Sequence, residues 1–456
     1  PESMVRAAAI TTLTTIVATI KTFPPSDSQL FSQYIFKRVD HLASDLSLAV
    51  RDAFARSISV LAGTALRFLD TSHAIKMHEM VDGGSGGIEE EGLPSTKTPN
   101  DDNSVPAFSD DITNELLGKD NATIEARTQP TNKTGENENA AAKKHSNVLI
   151  ESTYDSELEA LRNAVSRWVV IIATDASETS CVPKRSLLGT IAQLCSFFGL
   201  EGTLAYVLPQ VLAFLNDRRD GQLRALLCQQ LPSICAVVGR ASTAHFVIPC
   251  IETALVDSNE TVVCCAISCL ADLIKMGLIT RSMLIGRSIH GEGNPGIIEK
   301  FSSLLVHPAN HIRNEYLALF SASFSSLGSP DDVVFLLPMI RPFLRYEPST
   351  SDFTDAQNLD LCLLPPMSRE RFEIELANVA LTISDGTSVT ASNSSKSTSR
   401  IEASSRDGAP QESDRMASIL AMDNTKDYLE LLYRKKRASV QTTFDTSVGD
   451  AVEGAS

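Results

Sequence analysis

The glycine pattern with a chemical look is His290-Gly291-Glu292-Gly293-Asn294-Pro295-Gly296, which contains G-x-G-x-x-G. A phosphate cradle of that form needs a strand before the glycines and free amides facing the ligand. Here a helical pattern precedes it and Pro295 lacks an amide, so the stretch reads as a loop entering a helix. No kinase catalytic loop, Asp-Phe-Gly or strand lysine accompanies it. Arg218-Arg219-Asp220 reads as a turn, not a catalytic loop. No Walker lysine and no HExxH occurs. His78, His145, His245, His290, His307 and His311 are dispersed and form no set with a Ser or Cys nucleophile that spacing can justify. Nine cysteines lie mostly inside apolar helical patterns without a CxxC, which points to buried reduced thiols. Asn121, Asn132, Asn259 and Asn393 open glycosylation triplets, which carry meaning only on a secretory route. No catalytic, cofactor-binding or metal-binding residues are assigned on this evidence.

What does recur is charge at turns. Apolar stripes with three-to-four-residue steps mark helices. Val50–Asp70 is the clearest, with Val50, Phe54, Ile58, Leu61, Ala65 and Leu69 on one face. The pattern repeats as helix, short turn, helix. Second helices open at Val5, Val50, Val182, Leu223, Val262 and Ile312, at spacings of 45, 132, 41, 39 and 50 residues. Removing an 81-residue polar stretch, Ser72–Ser152, brings the outlier to 51. A two-helix period of this length is the signature of a HEAT or armadillo array. Each pair cannot bury its apolar face alone, so pairs stack. The expected fold is therefore an all-α solenoid. An arginine follows the opening apolar residue at Arg6, Arg51, Arg224 and Arg313, and Asp45, Asp217 and Asp257 stand in turns. In such arrays this arginine reaches an aspartate of a neighbouring turn, so these seven residues form an expected structural ladder. Val263 and His307 interrupt it.

Residues 1–71 and 153–345 read as repeats, and 72–152 reads as a disordered insertion, with GGSGG, EEE and few apolar residues. A weakly helical extension (346–383) and a Ser/Thr-rich disordered linker (384–415) follow. Residues 416–437 form an amphipathic helix ending in Arg434-Lys435-Lys436-Arg437, and 438–456 a tail or linker to a further domain. That basic end suits a helix C-terminus, a solvated surface or contact with acidic lipid head groups. Tyr206, Phe246 and Phe335 are expected as core anchors, with any binding surface on the side lined by second helices. A formal charge of −16 argues against general nucleic-acid binding. A low aromatic content, 6%, suggests aliphatic helix-on-helix packing. The chain opens on Pro1 with a helix under way, which reads as an excerpt from a longer polypeptide.

The order VRAAAITTLTTIVATIK, YIFKRVDHLASD, VRDAFARSISVLAGTALRFLD is more specific than a generic repeat. After the insertion, YDSELEALRNAV and LCSFFGLEGTLAYVLPQVLAFLNDRRDGQLRALL, continuing through IKMGLI, extend it. Over Val5–Asp70 and Tyr154–Ile285 the chain resembles the helical-repeat region of the regulatory, protein-kinase-like subunit of the class III phosphatidylinositol 3-kinase. The resemblance implies a parent with an N-terminal serine/threonine kinase-like domain that holds ATP, this solenoid, and a WD40 propeller. It implies partners in the lipid kinase's catalytic subunit and its autophagy adaptor subunits. It also implies a cytoplasmic location, peripheral on endosomal, vacuolar and autophagic membranes. None of that family's nucleotide-binding residues falls in this segment, which is expected to be non-catalytic. The alternative is a generic HEAT adaptor for transport or phosphatase assembly. An alternative of a different kind is nucleotide binding near Gly291–Gly296.

Overall fold

The computed structural model describes residues 2–21, 29–82, 136–177, 180–286, 295–328, 332–349, 351–385, 422 and 424–438. Among them the chain is a succession of helices, with two isolated β-bridges, Gly286–Pro295 and Leu344–Leu363, and no strand. The helices are α1 (Ser3–Thr19), α2 (30–44), α3 (Leu48–Asp82), α4 (Glu136–Thr174), α5 (Cys181–Leu188) and α6 (Ile191–Gly202). There follow α7 (203–216), α8 (Gly221–Ser242), α9 (243–254), α10 (Glu260–Lys275), α11 (Arg281–Ile285), α12 (297–306) and α13 (Asn310–Leu327). The last four are α14 (332–343), α15 (Ala356–Cys362), α16 (Arg369–Asp385) and α17 (424–438).

The second helices of successive pairs stack in chain order: α1 on α3, α3 on α5 and α6, α6 on α8, α8 on α10, α10 on α13. This is the expected solenoid. The first helices α2, α7, α9 and α14 each open in a wide π turn. Two of these entries use the same device. Gly199 and Gly239 adopt φ of 68° and 75°, a region that costs a glycine little. Thr203 and Thr243, both fully buried, then return hydroxyl hydrogen bonds to the carbonyls of Cys195 (3.2 Å) and Gly239 (2.8 Å). Two helical rows, Ile191–Asn216 and Gly221–Ala254, are long and apolar enough to match a membrane span by composition. Each is broken at its left-handed glycine, and the two halves belong to different helices of the stack.

The insertion expected over 72–152 is helical at both ends. Helix α3 runs on to Asp82, and α4 begins at Glu136. His73 and Tyr154 explain why the boundary moves. Their rings lie 4.7 Å apart, and the Tyr154 hydroxyl donates to Asp70 at 2.6 Å, so α3 and α4 pair beyond the sequence's last clear stripe. Residues 83–135 of that insertion lie outside the described residues. So do all but two of the expected 384–415 linker (Ser384 and Asp385 close α16) and the tail beyond Ala438.

The packing is less purely aliphatic than expected. Trp168 of α4 is fully buried between Phe36 and Phe54, with ring centroids 4.8 Å and 5.2 Å away, both edge-on. Its indole N–H donates to Asp40 at 2.7 Å. From Leu187 onward Leu, Ile, Val and Cys supply most of the core. Phe54→Ala should lower stability by about 3–5 kcal/mol, because the cavity opens against a tryptophan that cannot collapse into it. A denaturant titration checks this; an unchanged midpoint would mean the ring is not anchoring α3 to α4.

Candidate functional site

Along the turn edge of the stack, an arginine near the start of the second helix reaches forward to the next repeat at every junction but that of α10. Arg6 donates from Nε and Nη2 to the two carboxylate oxygens of Asp45, both at 2.8 Å. That guanidinium holds the Asp45 carboxyl below the usual carboxylate range. Arg51 lies 3.6 Å from Asp175. Arg185 donates to Asp220 at 2.7 Å. Arg224 donates to Asp257 at 2.9 Å and 2.8 Å with both side chains buried. Arg313 donates to Asp360 at 2.8 Å and to the Leu364 carbonyl at 3.0 Å. Two of these arginines also reach back. Arg51 donates to the carbonyl of Asp45 and Arg224 to that of Asp217, each at 2.7 Å. Each such guanidinium thus joins its own turn to the following one, a geometry that the planar fork of arginine suits and a lysine does not.

The seven residues expected as the ladder all lie on this edge, but Asp217 has a different task. Its carboxylate accepts the amides of Arg219 (3.0 Å) and Asp220 (3.3 Å), and Asp220 takes the incoming arginine. Sequence reasoning missed Arg185, Asp175, Asp220 and Asp360. Arg185 sits 39 residues before Arg224, one repeat period, and that spacing could have found it. Pro183 and Lys184 pushed it off the Val-Arg pattern.

The turns share a second device. In each, a side chain accepts the amide two residues on: Asp45 from Ser47, Asp175 from Ser177, Asp217 from Arg219 and Asp257 from Asn259, at 2.8–3.0 Å. This is the Asx turn that fixes the entry to the second helix. His307 does the same through Nδ1, accepting from Ala309 at 3.1 Å. The two interruptions of the pattern are therefore one. Val263 stands where the arginine would, and His307 is its aspartate-less partner position. Burial pulls the His307 imidazole down to about 4, and it stands as a neutral ring against Phe372 at 5.2 Å.

The stretch 416–437 is helical over 424–438, with Met422 also described. Its basic end is not simply a solvated helix terminus. Arg434 pairs with Glu430 at 3.5 Å, while Lys435 turns inward to Asp257 at 3.8 Å. Tyr206, Phe246 and Phe335, expected as core anchors, are 38%, 49% and 38% exposed. With Tyr34, at 60%, they occupy the opening π turns of α7, α9, α14 and α2. The exposed aromatic row lies on first helices, not on the second-helix side where a binding surface was expected.

Residues 287–294, including most of the glycine pattern, lie outside the described residues. Among the described residues no group of three or more His, Cys, Asp or Glu is placed to hold a metal. The core thiols are held protonated: burial pushes Cys228 up to about 12 and Cys195 and Cys235 up to about 11.

The arrangement defines a helical-repeat solenoid whose buried charges tie repeat to repeat. Residues 1–128 and 120–376 match the family described as PIK3R4-like, middle domain, and the chain belongs to that family. It is similar to the probable serine/threonine-protein kinase vps15 of Dictyostelium discoideum, 29% identical over 81% of this chain and 16% of that protein. It is also similar to the serine/threonine-protein kinase VPS15 of Arabidopsis thaliana (30% identical, 81% of this chain, 21% of that protein). The serine/threonine-protein kinase vps15 of Schizosaccharomyces pombe is 22% identical over 80% of this chain and 17% of its own length. The chain thus spans at most about a fifth of these relatives. The family is that of Vps15-like regulatory kinase subunits.

Asp257→Asn keeps the Asx turn but leaves buried Arg224 facing Lys435 without a countercharge. It should cost about 3–5 kcal/mol in a thermal or denaturant melt; a loss near zero would mean the rung is not structural. His307 has a folded pKa below its unfolded value. Its contribution is therefore complete above about pH 6.5 and lost as pH falls toward 4. His307→Asn, which can still accept the Ala309 amide, should flatten stability over that window. An identical pH profile in both proteins would exclude His307 as the source.

Proposed function

We propose that this chain is the non-catalytic scaffold segment of a class III phosphatidylinositol 3-kinase regulatory subunit. It would hold the catalytic subunit and its autophagy adaptor subunits at fixed separations for autophagy and for endosomal and vacuolar sorting. The observation that carries this reading is the match of residues 1–376 to a domain described as the middle of its parent. The relatives are named serine/threonine-protein kinases, which suits a parent with a kinase domain, using ATP, outside this segment. On this reading the complex works in the cytoplasm, peripheral to endosomal, vacuolar and autophagic membranes.

The physical features suit a scaffold. Charged side chains along the turn edge are engaged with neighbouring repeats, and stacked repeats offer extended surface with contacts spread along it. The row of Tyr34, Tyr206, Phe246 and Phe335 gives that surface its aromatic anchors. Rings half in water are the residue types that dominate association energetics. Two carry a cation above the ring, Arg38 on Tyr34 at 5.5 Å and Arg281 on Phe335 at 4.7 Å.

Tyr206→Ser with Phe246→Ser should reduce recovery of the lipid kinase catalytic subunit in co-purification by about tenfold, the loss of one modest hot spot. The melting temperature should hold. Undiminished recovery would remove the row as a contact. No recovery with the unsubstituted chain in its full-length parent would remove the scaffold reading itself.

A further inference from the structure

Helix α17 returns to the ladder from the far end of the chain. Tyr428, Leu429 and Leu432 are buried on its inner face, and Tyr428 stands 6.4 Å from His307. One turn further on, Lys435 donates to the Thr253 carbonyl and sits 3.8 Å from Asp257. That carboxylate is already engaged by both nitrogens of the Arg224 fork and by the Asn259 amide. One carboxylate therefore faces two cations. Burial, and after it Arg224, draws the Lys435 ammonium below its usual range against the pull of Asp257.

Between α17 and the turns lies a cavity of about 550 Å³, lined by Asp217, Arg218, Arg224, Asp257, Lys435 and Lys436. Four cations line it against two carboxylates, in a chain whose formal charge is −16. Both carboxylates are occupied within the ladder, Asp217 by the amides of Arg219 and Asp220. Lys436 has no carboxylate partner among the described residues. A lining richer in Arg and Lys than in carboxylates suits a phosphomonoester, which carries about −1.5 to −2 at neutral pH. The remaining volume admits a ring-sized body attached to it. Arginine forks and lysine point charges are the side chains that recognise such groups.

We propose that this cavity binds a small phosphate ester, and that the bound anion pins α17 to the repeat turns. The walls bring α17 against turns 178 to 219 residues earlier in the sequence. A ligand touching both stabilises the docked helix by mass action. The site is independent of the scaffold reading, since it uses none of the exposed aromatic row. A soluble inositol phosphate and a phosphoinositide head group present the same chemistry.

The test is hydrogen–deuterium exchange on the whole chain in two arms. One adds inositol 1,4-bisphosphate, the freed head group of phosphatidylinositol 4-phosphate, in solution. The other adds phosphatidylcholine vesicles with and without phosphatidylinositol 4-phosphate. Slower exchange over 424–438 and 215–224 in either arm supports the site. Protection by the soluble probe marks a free ligand, and protection by the phosphoinositide vesicles alone marks a head group. Arg218→Glu with Lys436→Glu should weaken the effect about tenfold or more, the scale of losing charge-assisted phosphate contacts. Arg434→Glu with Arg437→Glu, outside the lining, should leave it within about twofold. No protection in either arm overturns the proposal, as does equal loss in the two charge-reversal pairs, which would mean diffuse surface attraction.

Discussion

A helix pair of this kind has more apolar surface than it can cover by itself, and the whole architecture follows from that shortfall. α3 hides one face under α1 and another under α4, α5 and α6. α8 is covered by α6 on one side and α10 on the other. In a stack each repeat is stabilised by its neighbours, so the free energy resides in the interfaces as much as in the units. Non-directional burial does not by itself fix how far one pair rotates against the next. The guanidinium forks do, because two nitrogens on two carboxylate oxygens tolerate little misalignment.

That division of labour explains why the buried charges persist. An ion pair out of water gains little over a well-packed apolar contact. What Arg224 adds is connection: its own turn through the Asp217 carbonyl and the next through Asp257. At Val263 and His307 the fork and its carboxylate are both gone, and an imidazole keeps only the turn-capping role. The surfaces nearby are covered differently. Phe372 of α16 and Tyr428 of α17 pack beside His307, and Arg369 pairs with Glu260. Helices from the end of the chain thus take over part of the fastening at the interrupted junction.

Much of this was legible in the residues. The three-to-four-residue stripes located where the second helices open to within two positions, and Gly239, Gly277 and Gly328 marked where three of them end, whereas α3 runs twelve residues past its stripe. The ladder arginines with a Val, Leu or Ile before them were readable, whereas Arg185 was hidden behind Pro183 and Lys184. Short elements such as α11 and α15 escaped because five to seven residues do not establish a period. The aromatic row was misread for a physical reason. A ring at a helix-compatible position looks like core, and only the π turns opening α7, α9 and α14 rotate it outward. Lys435 could not be placed either, since its partner lies 178 residues away.

A linear array transmits load end to end, and it yields where adjoining members are joined least firmly. The junction between α10 and α13 lacks the guanidinium fork and relies on apolar packing and on the helices laid beside it. Because α17 lies across it, a pull separating the two halves would first have to peel α17 away. Helix α17 is then a mechanical fuse: its release would set the force at which the rod begins to extend.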